Sequence, residues 1–418
     1  MKIAFLVEYF TPFIFGGSEL SSYYLAKGIS RKDVSIKVIA PNFKSARNRE
    51  KINNFEIIRY EFPKKITDGK PVAPFWHTSL LLSLYRTIAI YKICKNEKID
   101  LIHIQEKYLL VAGFIVSKLL GKPLVFTSRD YRVLCNYGFC IKKNRRYKSC
   151  NIFEYWTQDF VYFVKNYKYN SSPLVLIASI LFALRARLIR NIYKTVAKRV
   201  DNIILISKKQ QEIYRNNGIK NTNVIYNPTE FKKLVNKNIK EYILYVGKIS
   251  KGKGVDLLIK SFAIASKNNQ NIKLKIVGEG DLLDKCVNIA KKLNVYKNVE
   301  FVGRKSQKEL EHLYANAIAT IVPSRWEEPF GRVALESISF QTPVVVTNVG
   351  GLPEIIGNDV TGIVCEPHEE DLAQAIGRII KNSPRFTRNI REKYPNIKKL
   401  FTNDIFNQHL TIYKKLLV

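Results

Sequence analysis

The feature that most constrains this chain is a pattern that starts at Tyr242 and recurs to the mid-360s. Short apolar runs at 242–246, 272–277, 299–302, 318–322, 343–347 and 362–364 alternate with stretches whose apolar residues return every three or four positions. An apolar run of this length suits a strand buried on both faces, and the helical stretch after it supplies the crossover that parallel strands require. Repeated strand–helix units of this kind make a doubly wound parallel sheet. The first half carries the same alternation less regularly, with apolar runs at 2–7, 34–40, 55–60, 98–104, 124–131 and 201–207. Between them lie SELSSYYLAKGIS, which Ser18 is placed to cap, and a segment at 79–95 that is apolar nearly all round and is expected to be a buried helix. A chain of 418 residues is too long for one core. The reading is therefore two α/β domains, 1–226 and 227–390, with a linker beginning near 224 and a last segment, 391–418, that ends in a helix.

Chemistry concentrates in PSRWEEPFGRVALESIS, residues 323–339. Glu328 and Glu336 stand eight residues apart across Pro329-Phe330-Gly331, between an apolar strand and a helical pattern. Pro329 and Gly331 break the chain there, so the amides of Gly331 and Arg332 open a helix at the carboxyl end of a strand. In an open parallel sheet that edge binds ligands, and a helix start favours phosphate. Glu336, about one and a half turns into the helix, is placed to bond ribose hydroxyls, and Glu328 to face a sugar. Glycine-bearing turns surround this stretch in sequence: Gly247-Lys248 with Lys253-Gly254, Gly278-Glu279-Gly280, and Gly350-Gly351-Leu352-Pro353-Glu354. Near the start, Gly16-Gly17 lets the backbone approach a ligand closely.

Taken together these residues resemble the E-x7-E motif and donor loops of the retaining family-four glycosyltransferases, written here Glu328-Pro-Phe-Gly-Arg-Val-Ala-Leu-Glu336. The resemblance covers nearly the whole chain and is strongest from about 242 to 365. It implies the GT-B fold, two Rossmann-like domains facing a central cleft, with acceptor chemistry on the first and a nucleotide sugar on the second. It also implies roles. Lys248 and Lys253 hold the diphosphate, Glu336 the ribose, and Glu328 with the Phe330-Gly331 backbone the hexose. Gly278 and Arg332 join the donor site, and Gly16-Gly17 reaches the diphosphate from the first domain. On the acceptor side it points to His103, Gln105, Arg129 and Asp130, with a core histidine the equal alternative for His103 and a surface ion pair that for Arg129 and Asp130. The chain departs from the family at Gln105 and Arg129, where histidines are common, at Lys248, where arginine is usual, and at Gln341. Arg129 suits an acidic or phosphorylated acceptor.

No Asp-x-Asp triplet is present to hold a metal under the departing phosphate. The expectation is a metal-independent enzyme without cofactor, in which lysines and helix ends stabilise the diphosphate. Cys135, Cys140 and Cys150 cluster but lack a fourth ligand nearby, so they are expected to be thiols, not a metal site. MKIAFLVEYF reads as a strand, not a signal peptide, which with six cysteines in so long a chain points to the cytoplasm.

The charge is uneven. Of 69 basic and 35 acidic side chains, giving +34, residues 1–226 hold 39 and 15. Such a field attracts nucleic acid, anionic lipid or phosphorylated substrates. No RNA-binding signature accompanies it, whereas IFEYWTQDFVYFVKNYKY interleaves aromatics with lysines and a short apolar helix at 173–184 ends in Arg185, Arg187 and Arg190. That apolar run is too short to span a bilayer and has the composition of an interfacial segment, while a buried helix of the first domain explains it equally well. The expectation is a peripheral protein on the inner membrane face, acting on a polyprenyl- or lipid-linked glycan. Two other enzyme classes and one non-enzyme compete with this reading: a GT-B sugar-nucleotide epimerase, which releases no free nucleoside diphosphate; a phosphorylase; and a basic membrane or nucleic-acid binder built on an inactive fold.

Overall fold

A computed structural model describes residues 1–44, 46–66, 71–72, 74–77, 79–135, 138, 173–231, 241–268 and 271–418. The chain forms two compact units, Met1–Pro228 with Ile405–Val418, and Thr229–Asp404. The aromatic–lysine run, Cys140 and Cys150 lie outside the described residues.

The first unit runs β1 (Lys2–Leu6), α1 (Gly17–Ile29), β2 (Ser35–Asn42), β3 (Arg49–Ile52), β4 (Phe55–Glu61), α2 (Pro74–His77), α3 (Leu80–Asn96) and β5 (Leu101–Ile104). It continues with α4 (Leu110–Leu120), β6 (Leu124–Ser128), α5 (Pro173–Ala197), β7 (Asn202–Leu205), α6 (Lys208–Asn216) and β8 (Thr222–Val224). Its eight strands lie in the order β3-β4-β2-β1-β5-β6-β7-β8, parallel except for the β3–β4 hairpin. Two strands escape the sequence pattern. β3 is REKI, an edge strand whose polar side chains need no burial, closed by Asn53 at φ 51°. β8 is three residues long, Thr-Asn-Val, and ends where the linker is expected to begin.

The second unit runs β9 (Tyr242–Val246), α7 (Val255–Ala265), β10 (Lys273–Val277), α8 (Leu283–Lys292), β11 (Val299–Gly303), α9 (Gln307–Asn316) and β12 (Ala319–Val322). Then come α10 (Arg332–Ser339), β13 (Val344–Thr347), α11 (Leu352–Ile355), β14 (Gly362–Cys365) and α12 (Glu369–Leu400). All six strands are parallel, in the order β11-β10-β9-β12-β13-β14. Ile243, Leu274, Ile276, Ile321 and Val345 from this sheet meet Leu258, Phe262, Ile376 and Ile379 from α7 and α12 in one buried core. α12 passes through Pro384 and Pro395 without ending, and α13 (Asn403–Leu417) returns the chain to the first unit from Ile405 onward.

Strand order fixes where ligands can sit. In the first sheet the chain reverses direction between β1 and β5, and in the second between β9 and β12. The loops at the carboxyl ends of those strands diverge and leave a crevice.

Three local expectations are corrected. α1 begins with Gly16 as its N-cap and no capping side chain, so Ser18 sits inside the first turn. The helix expected to stop at 184 continues to Ala197, because RARLIRNIYKTVA keeps a helical period and lacks any Gly or Pro to end it. α3 is not buried all round. Only Arg86, Thr87, Ile90 and Cys94 are covered, while Leu80, Leu81, Leu84, Tyr85 and Ile88 face solvent, since the helix packs by one side and its remaining apolar residues have nowhere else to go.

Candidate functional site

In the second unit, four loops close on one another at the β9–β12 switch point through backbone contacts that leave no room for a side chain. A Cβ on Gly254, at φ 71°, would lie 1.9 Å from the Pro323 carbonyl oxygen, and one on Gly278 2.0 Å from that of Gly247. The Gly252 carbonyl accepts the Arg325 amide at 2.9 Å, locking the turn after β9 to the turn after β12. From the β13 side, Gly351 N–H donates to the Glu328 carbonyl at 2.7 Å, and Gly350 N–H to Glu327 Oε2 at 2.7 Å. The glycines singled out in sequence therefore bring the loop backbones together and fix where Glu328 stands.

That framework joins two of the expected residues directly. Lys253 Nζ donates to Glu328 Oε1 at 2.5 Å, and the same oxygen accepts from Ser324 Oγ at 2.7 Å and from Trp326 Nε1 at 2.9 Å. The ammonium also lies over the Trp326 ring, 5.1 Å from its centre. Glu328 is largely buried, at 7% exposure, so three converging donors compensate a carboxylate taken out of water. An ammonium has three protons, and those not spent on Glu328 remain available to a phosphate oxygen. Lys248 is exposed, and its carbonyl accepts from the Tyr245 hydroxyl at 2.9 Å.

Gly331 caps α10 at φ 117°, a conformation that strains any other residue, and its amide and that of Arg332 open the helix at the strand's carboxyl end. One turn later Glu336 is half-buried. Its two oxygens accept from Arg332 Nε at 2.7 Å and from the Tyr314 hydroxyl at 3.1 Å. Burial, reinforced by the Glu336 charge, pushes the Tyr314 hydroxyl well above its ordinary range, so it stays a donor. The Phe330 side chain packs on Phe401 and is buried, leaving its backbone to the site. Sequence reasoning missed Ser324, Trp326 and Tyr314. The first two sit within four residues of Glu328, and their signal was that proximity.

In the first unit, a cavity of about 340 Å³ lies at the β1–β5 switch point, lined largely by residues in or following β1, β5 and β6, with Ser18, Glu19 and His77. Gln105, Arg129 and Asp130 are among its lining residues. Arg129 acts as a clamp: Nη1 and Nη2 donate to the Gln105 carbonyl and Oε1 at 2.9 and 2.7 Å, and Nε to Asn227 Oδ1 at 3.0 Å. Its fork orients Gln105, whose buried Nε2 has no partner among the described residues. Asp130 instead faces Arg132 at 3.6 Å. His103 does not line the cavity. It is fully buried under α13, with its ring nitrogens 2.6 Å from the Tyr413 hydroxyl and 2.7 Å from Thr127 Oγ1. Burial lowers its pKa well below the usual range, as suits a neutral core histidine.

The cavity also holds groups no motif announced. Glu106 accepts the Glu8 amide at 3.1 Å through one oxygen, while its other oxygen is buried without a partner among the described residues. Burial, and then repulsion from Glu8 and Glu19, raises its pKa well above normal. Glu8 accepts the Tyr108 amide at 2.7 Å and is raised to about 7, again by burial, with Lys107 and Arg86 opposing. His77, 2.8 Å from the Tyr9 hydroxyl, is lowered to about 4 by burial. Burial thus favours the neutral forms of the two carboxyls and of the imidazole, which with the amide and the phenol give the mixed donors and acceptors that a hydroxyl-rich ligand pairs with. Among the described residues, no group of three His, Cys, Asp or Glu side chains is placed to hold a metal ion.

Residues 227–396 match the family described as Glycosyl transferases group 1, and residues 15–176 match Glycosyltransferase Family 4. The chain belongs to the family 4 glycosyltransferases. An uncharacterized glycosyltransferase of Methanocaldococcus jannaschii is 38% identical over 141 residues, 34% of this chain and 36% of that protein. The first curated relatives are matched over only about a third to a half of their own length. Whole-chain likeness comes from solved structures. Sucrose-phosphate synthase from Thermosynechococcus elongatus superposes with a TM-score of 0.73 at 18% identity, covering 99% of this chain and 98% of that one. Anabaena HepE in complex with UDP-glucose gives 0.66 at 18% identity, covering 99% of both chains. At these identities the likeness establishes the GT-B fold of this family 4 chain.

Proposed function

We propose that this family 4 glycosyltransferase moves a hexose from a UDP- or GDP-sugar to a glycan or lipid-linked acceptor at the inner face of a membrane, with retention of configuration and without a metal. The observation that carries the donor half is the Lys253–Glu328 pair, set over Trp326 beside the amino end of α10. A departing nucleoside diphosphate gains negative charge, and fixed cations and helix-end amides aimed at that charge lower the barrier. Lys253 and Lys248 supply the cations, the Gly331 and Arg332 amides the dipole, and Glu336 a carboxylate for ribose hydroxyls. The UDP and UDP-glucose bound by Anabaena HepE support a nucleotide sugar as donor. On the acceptor side, Gln105 and the Glu8–Glu106 carboxyl pair read hydroxyls in the first-unit cavity, and the departing phosphate takes the acceptor's proton.

The test is incubation with a panel of UDP- and GDP-sugars and a membrane lipid extract, scoring free nucleoside diphosphate and glycosylated lipid. Release of diphosphate that depends on the extract supports the reading. Turnover with no diphosphate released points to an epimerase and overturns it.

A further inference from the structure

The exposed side of α3 is part of a larger surface. The crossovers from β4 to β5, β5 to β6 and β6 to β7 all advance in one direction across the sheet, so α3, α4 and α5 share one face, and α4 packs against both neighbours. Each leaves large apolar side chains in solvent at helical spacing. On α3, Leu80, Leu81 and Leu84 are 84%, 79% and 60% exposed, with Ile88 one turn on. On α4 these are Ile115 and Leu119, and on α5 Leu184, Leu188 and Ile192. An isolated exposed leucine needs no explanation, but a set spread over three adjacent helices does.

Charge narrows the choice of partner. α3, α4 and α5 hold no Asp or Glu and, apart from buried Arg86, carry two, one and four basic residues. Lys92 and Lys95 extend the α3 stripe, Lys118 adjoins Leu119, and Arg185 flanks Leu184 and Leu188 on α5. A second copy of the chain brought against this face would set positive charge on positive charge. Nucleic acid would meet leucines where it needs phosphate contacts. Apolar side chains flanked by basic residues, with acidic ones excluded, match an anionic bilayer: the leucines enter the boundary between headgroups and acyl chains while lysine and arginine reach lipid phosphates. We infer that the α3–α4–α5 face is a membrane-docking surface selective for anionic phospholipid. The inference rests on the membrane-surface reading above and deepens it by naming the face.

The test is co-sedimentation of the full chain with vesicles of phosphatidylcholine alone and of an equal mixture with phosphatidylglycerol, at low and high salt. Leu81→Glu/Leu84→Glu on α3 and Leu188→Glu on α5 change exposed residues, and thermal melts confirm that they fold. The expected result is binding of the wild type to the anionic vesicles, weakened by salt, and a loss of at least about tenfold in partitioning for each variant, since each replaces inserted leucine with a charge the headgroups repel. Diphosphate release with a soluble acceptor stays at the wild-type level. If the variants bind as the wild type does, the face is wrong while membrane action stands. If the wild type ignores anionic vesicles, both fail. A wild-type dimer in solution that the same substitutions dissociate also overturns the inference, because the face then serves a second copy.

Discussion

Lys253 Nζ lies 2.5 Å from Glu328 Oε1 across 75 positions of sequence, and the pair exists because Gly252 and Gly254 let one loop rest on the backbone of the other. The carboxylate side chain is 9% exposed and the ammonium 33%, so the two are not interchangeable in what their loss does. Lys253→Met strands a buried anion, whereas Lys253→Met with Glu328→Gln removes both charges. The expected outcome is a lower Tm for the single variant, much of it regained in the double variant. Turnover falls in both, by roughly ten- to a hundredfold, the equivalent of a lost charge-assisted contact of ~1.5–3 kcal/mol. Melting curves and diphosphate release on the same samples check this. Activity near wild type in the folded double variant would remove the pair from the donor site.

Glu336 is half-buried and held by Arg332 and Tyr314, so its replacement leaves the core alone. Glu336→Gln keeps the shape and loses the charge that ribose hydroxyls would bond. A fall of about ten- to a hundredfold in kcat/KM is expected, with Tm within a few degrees of wild type. Equal kcat/KM in the Gln variant would show that this carboxylate does not touch the donor.

How much of this was legible in sequence follows from what each residue depends on. The parallel strands of the second unit, Gly331 at a helix start, and Glu328 and Glu336 at one sheet edge are local patterns and could be read directly. The Lys253–Glu328 pair, the Arg129–Gln105 clamp and the Glu8–Glu106 contact depend on which loops the strand order makes neighbours, so no window of sequence contains them. His103 shows the same limit from the other side. Its position in β5 left acceptor contact and core histidine equally open, and strand alternation turns it toward α13, over 300 residues away, and into the core.

Gly350 offers a test of the framework itself. At φ 58°, its Cβ would sit 2.1 Å from the Glu328 carbonyl oxygen. Gly350→Ala is expected to cost more than ~1 kcal/mol of stability and to displace Glu328, lowering activity beyond what the stability change explains. Gly377, inside α12 with nothing within 4 Å of its added Cβ, is the control. There alanine is expected to be neutral or to stabilise by up to about 1 kcal/mol. Similar effects at both positions, by melting and turnover, would mean the loop contact is not what holds Glu328.

If lysines and helix ends supply the positive charge at the donor diphosphate, as proposed, turnover survives EDTA. The measurement is diphosphate release before and after chelation, with Mg2+ and Mn2+ added back. Abolition by EDTA with recovery on either metal would contradict it.

The last prediction concerns pH and the first-unit cavity. The folded-state pKa of Glu8 is raised to about 7 from an ordinary carboxyl value of 4.5, mainly by burial. Between those values the folded state holds a proton that the unfolded chain has lost, so this group's contribution to stability falls as pH rises from about 4.5 through 7. His77, lowered from 6.5 to about 4, works oppositely: its contribution rises between pH 4 and 6.5, which partly masks the carboxyl in a simple pH–Tm profile. Glu8→Gln removes a titrating carboxyl and with it the charge that helps raise Glu106, so the comparison reads the two carboxyls together. The stability difference between variant and wild type is expected to be small near pH 4.5 and to grow in favour of glutamine up to about pH 8. Each pKa unit corresponds to about 1.4 kcal/mol, so the gain amounts to a few kcal/mol at most. Denaturant melts of both proteins at pH 4.5, 6 and 8 read it directly. A difference that does not change with pH would mean that Glu8 titrates as it would in water and that the cavity presents a carboxylate, not a carboxylic acid, to its ligand.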